Sequence, residues 1–229
     1  MAVLAWSLAL AAQAGSFTVR PLRLVLAPGA SSASLSLENV GDQPVLVQAE
    51  VMAWSQRDGT DVLDPSQDLI VSPPVFTVAT GAAQTVRVGL MQPSAAAREV
   101  TYRLFLQEVP PPKKPGEQGV DVSLRLSLPV FVLPSGNVAP RLSWRAAKGP
   151  HDAIVLSLTN SGSAHVQVID CKLYDGNDGL IAQSNLGSYV LPGQTRSWSI
   201  NPSKPWNGGH IRLTARTDAG SVSAQVATE

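Results

Sequence analysis

The residues of this chain that could do catalytic or metal chemistry are three histidines, one cysteine and a run of aspartates. His151, His165 and His210 are scattered, and none stands in the HExxH or HxH spacing that brings two imidazoles to one ion. They read as surface or turn histidines. Asp61, Asp64 and Asp68 lack the full calcium-loop pattern and read as a solvated loop. Cys171 is the only cysteine, so it forms no disulfide within the chain and reads as a small apolar residue in a strand. A reactive thiol would need a neighbouring base or cation. No GxSxG elbow, phosphate-cradling glycine loop or CxxC pair occurs. The expectation is therefore a protein that is not an enzyme, with no cofactor, no metal and no small-molecule substrate. Lysine plus arginine equals aspartate plus glutamate, 17 each, so no global field recruits nucleic acid or an anionic membrane. Trp54, Trp144, Trp198 and Trp206 fall in or beside strand patterns and read as core or rim residues, not as a platform for stacked bases.

What remains is recognition through strands. Residues 119–134 alternate, with Val120, Val122, Leu124, Leu126 and Leu128 on one face and Asp121, Ser123, Arg125 and Ser127 on the other. The proline-rich stretch from Pro110 to Pro115 precedes them and cannot continue a ladder. Native proteins blunt a long apolar strand at a sheet edge, so this one is either buried in its own domain or kept open for a partner.

The elements that must position this strand follow the same period. Residues 17–26, 34–39, 45–54, 69–76, 84–89 and 101–109 read as strands, with a hairpin turn at Gln56 to Gly59. The double proline Pro73 and Pro74 suggests a sheet switch with the bond between them as a candidate cis peptide, and residues 93–98 form a bend with room for one helical turn. Some seven short strands separated by turns describe a β-sandwich of immunoglobulin type, closed by the 119–134 strand. Residues 134–140 read as a short linker, and alternation resumes from Leu142 to Val226 as a second sandwich. The fold class is thus all-β, with domains at 15–134 and 135–229. Residues 1–14 are excluded from the fold. They are apolar, too short to span a bilayer, and end in the small-x-small pattern Ala12, Gln13, Ala14, which reads as a secretory signal peptide and implies export.

Phe17, Val19, Pro21 and Arg23 near the start, the stretch from Leu69 to Phe76, Gln84 to Arg87, Glu99 to Pro111, and the alternating strand running through Leu128 to Pro134 together resemble the periplasmic pilus-assembly chaperones of the chaperone/usher pathway. The resemblance is dense over residues 17–134 and thinner beyond. Leu128 to Phe131 and the pair Tyr102, Arg103 are more similar to the archaic branch, which builds spore-coat-U-type pili.

This resemblance implies a boomerang of two immunoglobulin-like domains that acts in the periplasm, binds pilin subunits and delivers them to an outer-membrane usher. It implies donor-strand complementation, with Val120, Val122, Leu124, Leu126 and Leu128 filling the groove of a subunit that lacks its final strand. Five such side chains, fully buried, supply on the order of 10 kcal/mol before ordering costs. It implies a basic anchor for the subunit's terminal carboxylate at Arg23. The family's second cation, a lysine, is replaced here by Pro129, with Arg103 or Arg125 as substitutes. It also implies an interdomain ionic cluster of Arg87, Glu99 and Asp218. The alternative is an exported structural or adhesive immunoglobulin-like protein whose strands serve only its own fold.

Overall fold

The computed structural model describes residues 17–110 and 122–228. The expected signal segment and Val120 lie outside the described residues. Alternating apolar and polar residues generate the strands, because a period of two puts one row inside and one row in water. In chain order the first ten are β1 (Phe17–Arg20), β2 (Leu24–Leu26), β3 (Ser32–Asn39), β4 (Val45–Arg57), β5 (Thr60–Pro65), β6 (Leu69–Ser72), β7 (Val75–Val78), β8 (Ala83–Leu90), β9 (Val100–Val109) and β10 (Arg125–Val132). They form two sheets, ordered β1-β3-β8-β6 and β2-β10-β9-β4-β5, with β7 also pairing β4. Between the sheets, Leu26, Leu37, Val47, Val86, Val88, Leu104 and Val130 are fully buried. This is a two-layer sandwich held by apolar burial.

Prolines decide where the chain changes sheet. Residues 17–26, expected as one strand, are two: β1 pairs β3 in the first sheet, and after Pro21 β2 joins β10 in the second. Proline has no N–H to donate to either ladder, so a crossing there costs no hydrogen bond. The chain crosses again between β6 and β7 at Pro73 and Pro74. The cis bond at this point is Ser72–Pro73, one residue before the bond expected from the sequence, and Arg20–Pro21 is also cis. The expected hairpin at Gln56 to Gly59 is present, with Asp58 and Gly59 both at positive φ. Residues 93–98 hold bends and no helical turn.

The second sandwich comprises β11 (Leu142–Lys148), β12 (Ile154–Asn160), β13 (Val166–Tyr174), β14 (Leu180–Val190), β15 (Thr195–Ile200), β16 (Ile211–Thr217) and β17 (Gly220–Thr228), with one 3-10 turn at Pro150–Asp152. A short parallel contact between β11 and β17 joins its two halves, which close over Ile154, Leu156, Leu158, Val166, Leu173 and Leu213. Cys171 belongs to this core, and burial pushes its thiol up to about 11.

The two domains share one buried polar device. Asn39 ends β3 and Asn160 ends β12, each fully buried. Each side-chain amide donates to two backbone carbonyls, Gln43 and Val78 for Asn39, Ala164 and Val190 for Asn160. Each amide oxygen accepts from the N–H two residues on, Gly41 or Gly162. The interdomain segment lies against the second of these turns, where a Cβ on Gly162 would collide with the Ala139 carbonyl.

Candidate functional site

The last strand of the first domain has one edge covered and one edge mostly open. On the covered side β10 pairs β9 antiparallel from Arg125 opposite Gln107 to Val132 opposite Val100, and the Glu108 N–H donates to the Leu124 carbonyl at 2.9 Å. On the other side β2 pairs it only at Val130, Phe131 and Val132. The cause is the crossing at Pro21, which takes the preceding residues to the other sheet. Among the described residues, no strand pairs residues 125–128 on that side. An edge that no described strand covers is a template for an incoming strand.

The even-numbered side chains of this strand emerge from the core toward solvent. Val132, Val130 and Leu128 are buried, Leu126 and Leu124 are half-buried, and Val122 is 54% exposed. The pattern left the row open between the chain's own core and a partner, and the resemblance implied that all five members enter a partner's groove. The structure places Leu128, 6% exposed, in the chain's own core, because it faces the interior of a closed part of the sandwich. Among the described residues regular strand structure begins at Arg125, and residues 119–121 of the expected strand lie outside the described residues.

The odd-numbered side chains form the opposite face, which looks toward the second domain. Pro129 stands opposite Arg103, and Ser127 opposite Phe105. Arg103 lies 3.7 Å over the ring of Trp54 and 5.6 Å from that of Tyr189, an arrangement that holds the guanidinium by its flat face. Burial lowers its pKa from the usual arginine value. Arg125 lies 4.2 Å over Phe105. Arg23 immediately precedes Leu24, which pairs Val130, so it enters this face beside Pro129. Arg103 and Arg23 therefore stand at the closed end of the open edge, and Arg125 lies four residues back along it.

Behind them lies the junction of the domains. His165 Nδ1 is 2.7 Å from Glu99 Oε1, and its Nε2 is 3.5 Å from Asp218 Oδ2. Arg23 bonds the same Asp218 oxygen at 2.9 Å, and the Gln167 N–H donates to the other oxygen. Burial opposes charging of His165, but hydrogen bonds to Asp218 and Glu99 outweigh it and raise its pKa above the ordinary value. Burial likewise opposes ionisation of Asp218, yet the bonds from His165, Gln167 and Arg23 bring its carboxyl down to about 2. Phe131 stacks on the imidazole at 3.6 Å and packs with Trp54, Tyr189 and Leu191. Gln56 completes the seam, donating to the Tyr189 carbonyl and accepting from the Leu191 N–H.

The expected cluster of Arg87, Glu99 and Asp218 is corrected here. Glu99 and Asp218 meet through His165, while Arg87 stands exposed on β8 between Ser34 and Ser72 of the neighbouring strands. The alternation of β8 turns Arg87 outward, away from both carboxylates. His165, expected as a surface or turn residue, was missed because nothing adjacent in sequence marks it. His151 and His210 are exposed as expected. Among the described residues there is no group of three metal-ligating side chains.

Residues 16–137 match the family described as pili and flagellar-assembly chaperone, PapD N-terminal domain. The uncharacterized fimbrial chaperone YhcA of Escherichia coli K12 is 25% identical over 136 residues, 59% of this chain and 58% of the relative. The match thus spans less than two thirds of that relative's length. Among solved structures, a chain of the CsuC-CsuE chaperone-tip adhesion subunit pre-assembly complex, from archaic chaperone-usher Csu pili of Acinetobacter baumannii, superposes with a TM-score of 0.69. It is 19% identical and the likeness covers 93% of this chain and 98% of that one. A chain of the Salmonella enterica SafA pilin complex with the SafB chaperone gives 0.64 at 20% identity, covering 92% and 96%. The Escherichia coli chaperone DraB gives 0.65 at 20% identity, covering 93% and 98%. These likenesses establish the fold as the two-domain immunoglobulin-like architecture of pilus chaperones. With the family match over more than half its length, the chain belongs to the pili and flagellar-assembly chaperone family.

Proposed function

We propose that this protein is a periplasmic chaperone, without enzymatic activity, that binds pilin subunits by strand addition to the open edge of β10 and passes them to an outer-membrane usher. The observation that carries the reading is the apolar row leaving the core along an edge that β2 leaves uncovered. An incoming subunit strand would pair with the outward backbone groups of Arg125 and Ser127. Leu126, Leu124 and Val122 would enter the subunit's groove, with Val120 extending the row and Leu128 rooting it in the donor's own core. Three such side chains, fully buried, supply on the order of 6 kcal/mol before ordering costs, about three fifths of what five would. Arg103, with Arg23 or Arg125 beside it, would receive the subunit's terminal carboxylate, as guanidinium geometry suits. Export would depend on residues 1–14. The likeness to the archaic Csu complex supports the archaic branch. Family membership favours this function over that of an exported structural or adhesive protein.

The test is co-expression with a pilin subunit of a chaperone/usher system, followed by isolation of the periplasmic complex. Stabilised pilin that co-purifies with the chaperone is the expected result. Pilin yield independent of the chaperone would overturn the reading.

A further inference from the structure

Pro129 sits where the open edge meets β2, and the hydrogen-bond pattern says which way its nitrogen points. Backbone groups along a strand alternate sides. Leu124 turns its carbonyl to β9, accepting from Glu108, and Leu133 turns its N–H to β2, donating to the Leu26 carbonyl. Even-numbered residues of this strand thus pair β9 and odd-numbered ones face the other edge. Pro129 is odd, so the position that lacks an N–H belongs to the open side, at its last step before β2 takes over at Val130.

An incoming strand running parallel to β10, in line with β2, could donate an N–H to the Ser127 carbonyl. Its next carbonyl would then face the Pro129 ring and find no donor. A carbonyl buried without a partner is costly, and further along β2 already occupies the path. A chain end avoids both problems, since a terminal carboxylate can swing out of the sheet toward the cationic face. Arg103 stands directly opposite Pro129, and Arg23 lies beside it. A chain arriving amino end first would bring a positive charge to the same arginines.

Resting on strand addition as proposed above, we propose that Pro129 is a register stop: it ends the ladder available to the subunit, so that the edge accepts a carboxyl-terminal strand whose last residue lies at the level of Ser127 to Pro129. Pro129 would then be a positioning residue that selects for chain ends, in addition to the cations that hold the carboxylate.

The test compares one pilin with its own carboxyl terminus and the same pilin lengthened there by two alanines, each co-expressed with the chaperone or with Pro129→Ala or Pro129→Val. The readout is the ratio of native to lengthened pilin recovered in complex, which cancels any loss of folding in a variant. The chaperone with Pro129 should favour the native end by at least about tenfold, and restoring an N–H in either variant should reduce that preference about fivefold, as the loss of one unsatisfied carbonyl requires, leaving the part that β2 imposes. Equal recovery of both pilins by the unmodified chaperone, or an unchanged ratio in both variants, would overturn the register stop. Recovery of neither pilin by the unmodified chaperone would instead overturn strand addition itself, and the stop with it.

Discussion

His165, in the second domain, holds its Nδ1 2.7 Å from Oε1 of Glu99 in the first, whose side chain is only 1% exposed. The imidazole also faces Asp218, Phe131 and Tyr189, and Arg23 reaches the same Asp218 carboxylate. The contact joins the domains through groups whose charge depends on pH.

Because His165 is raised above 6.5 in the folded protein, its contribution is fully present below about that pH and is lost as pH rises through the raised value. Asp218 is depressed from 3.8 to about 2, so its contribution is present above about pH 4 and lost as pH falls toward 2. Stability should therefore be greatest in mildly acid solution and fall on the alkaline side. Urea unfolding followed from pH 4 to 9 measures this. In His165→Ala the alkaline fall should vanish, with a loss of about 3 kcal/mol at pH 6 because Glu99 is left buried without its partner.

Leu124 and Leu128 occupy the same row but should respond differently. Leu128→Ala opens a cavity in the first core and should lower stability by about 3 kcal/mol. Leu124→Asp places a charge on a half-buried, outlying position and should change stability little while abolishing recovery of the pilin complex. Thermal unfolding of the free protein beside pilin recovery separates the two effects.

Arg103 and Arg23 should also separate. Removing Arg103 takes away the cation facing Pro129, so Arg103→Ala should weaken pilin binding at least tenfold. Arg103→Lys should restore part of it, since an ammonium keeps the charge without the planar fork. Arg23→Ala should weaken binding too, and in addition loosen Asp218, whose partner it is. Binding isotherms with a peptide carrying the pilin's carboxyl-terminal strand, free or amidated, give the check: amidation should remove the difference between unmodified protein and Arg103→Ala.

Gln56 ties β4 to residues far along the chain, through the Tyr189 carbonyl and the Leu191 N–H. Gln56→Ala leaves a buried N–H at Leu191 without a partner and should cost about 1–3 kcal/mol. Amide hydrogen exchange at Leu191 should accelerate accordingly, while exchange within β3 and β8 stays unchanged.

Much of the fold was legible because alternation is a local signal. Strands such as β3, β4 and β8 carry their buried apolar row in alternate positions, and the turn at Asp58 and Gly59 is written in residues that tolerate positive φ. Where reading failed, two distant segments had to be compared. Residues 17–26 read as one alternating run, yet the apolar row passes from Phe17 and Val19 to Leu24 and Leu26 across Pro21, and β1 and β2 belong to different sheets. Arg87 carries the right charge for the junction, but the pleat of β8 turns it to solvent. His165 has no neighbour in sequence that betrays its role, since its partners lie at positions 99, 131 and 218.

The sequence by itself determined that this is an all-β protein with an alternating strand beginning after a proline-rich stretch, because a period of two and the missing N–H of proline act within a few residues. Only the tertiary structure decided which part of that strand is open. The edge is exposed where β2 has not yet arrived and closed where it has, Leu128 belongs to the core because the opposing sheet reaches it, and Pro129 falls on the open side because hydrogen-bond parity is set by pairing with β9. Those are relations between strands, and no single strand contains them.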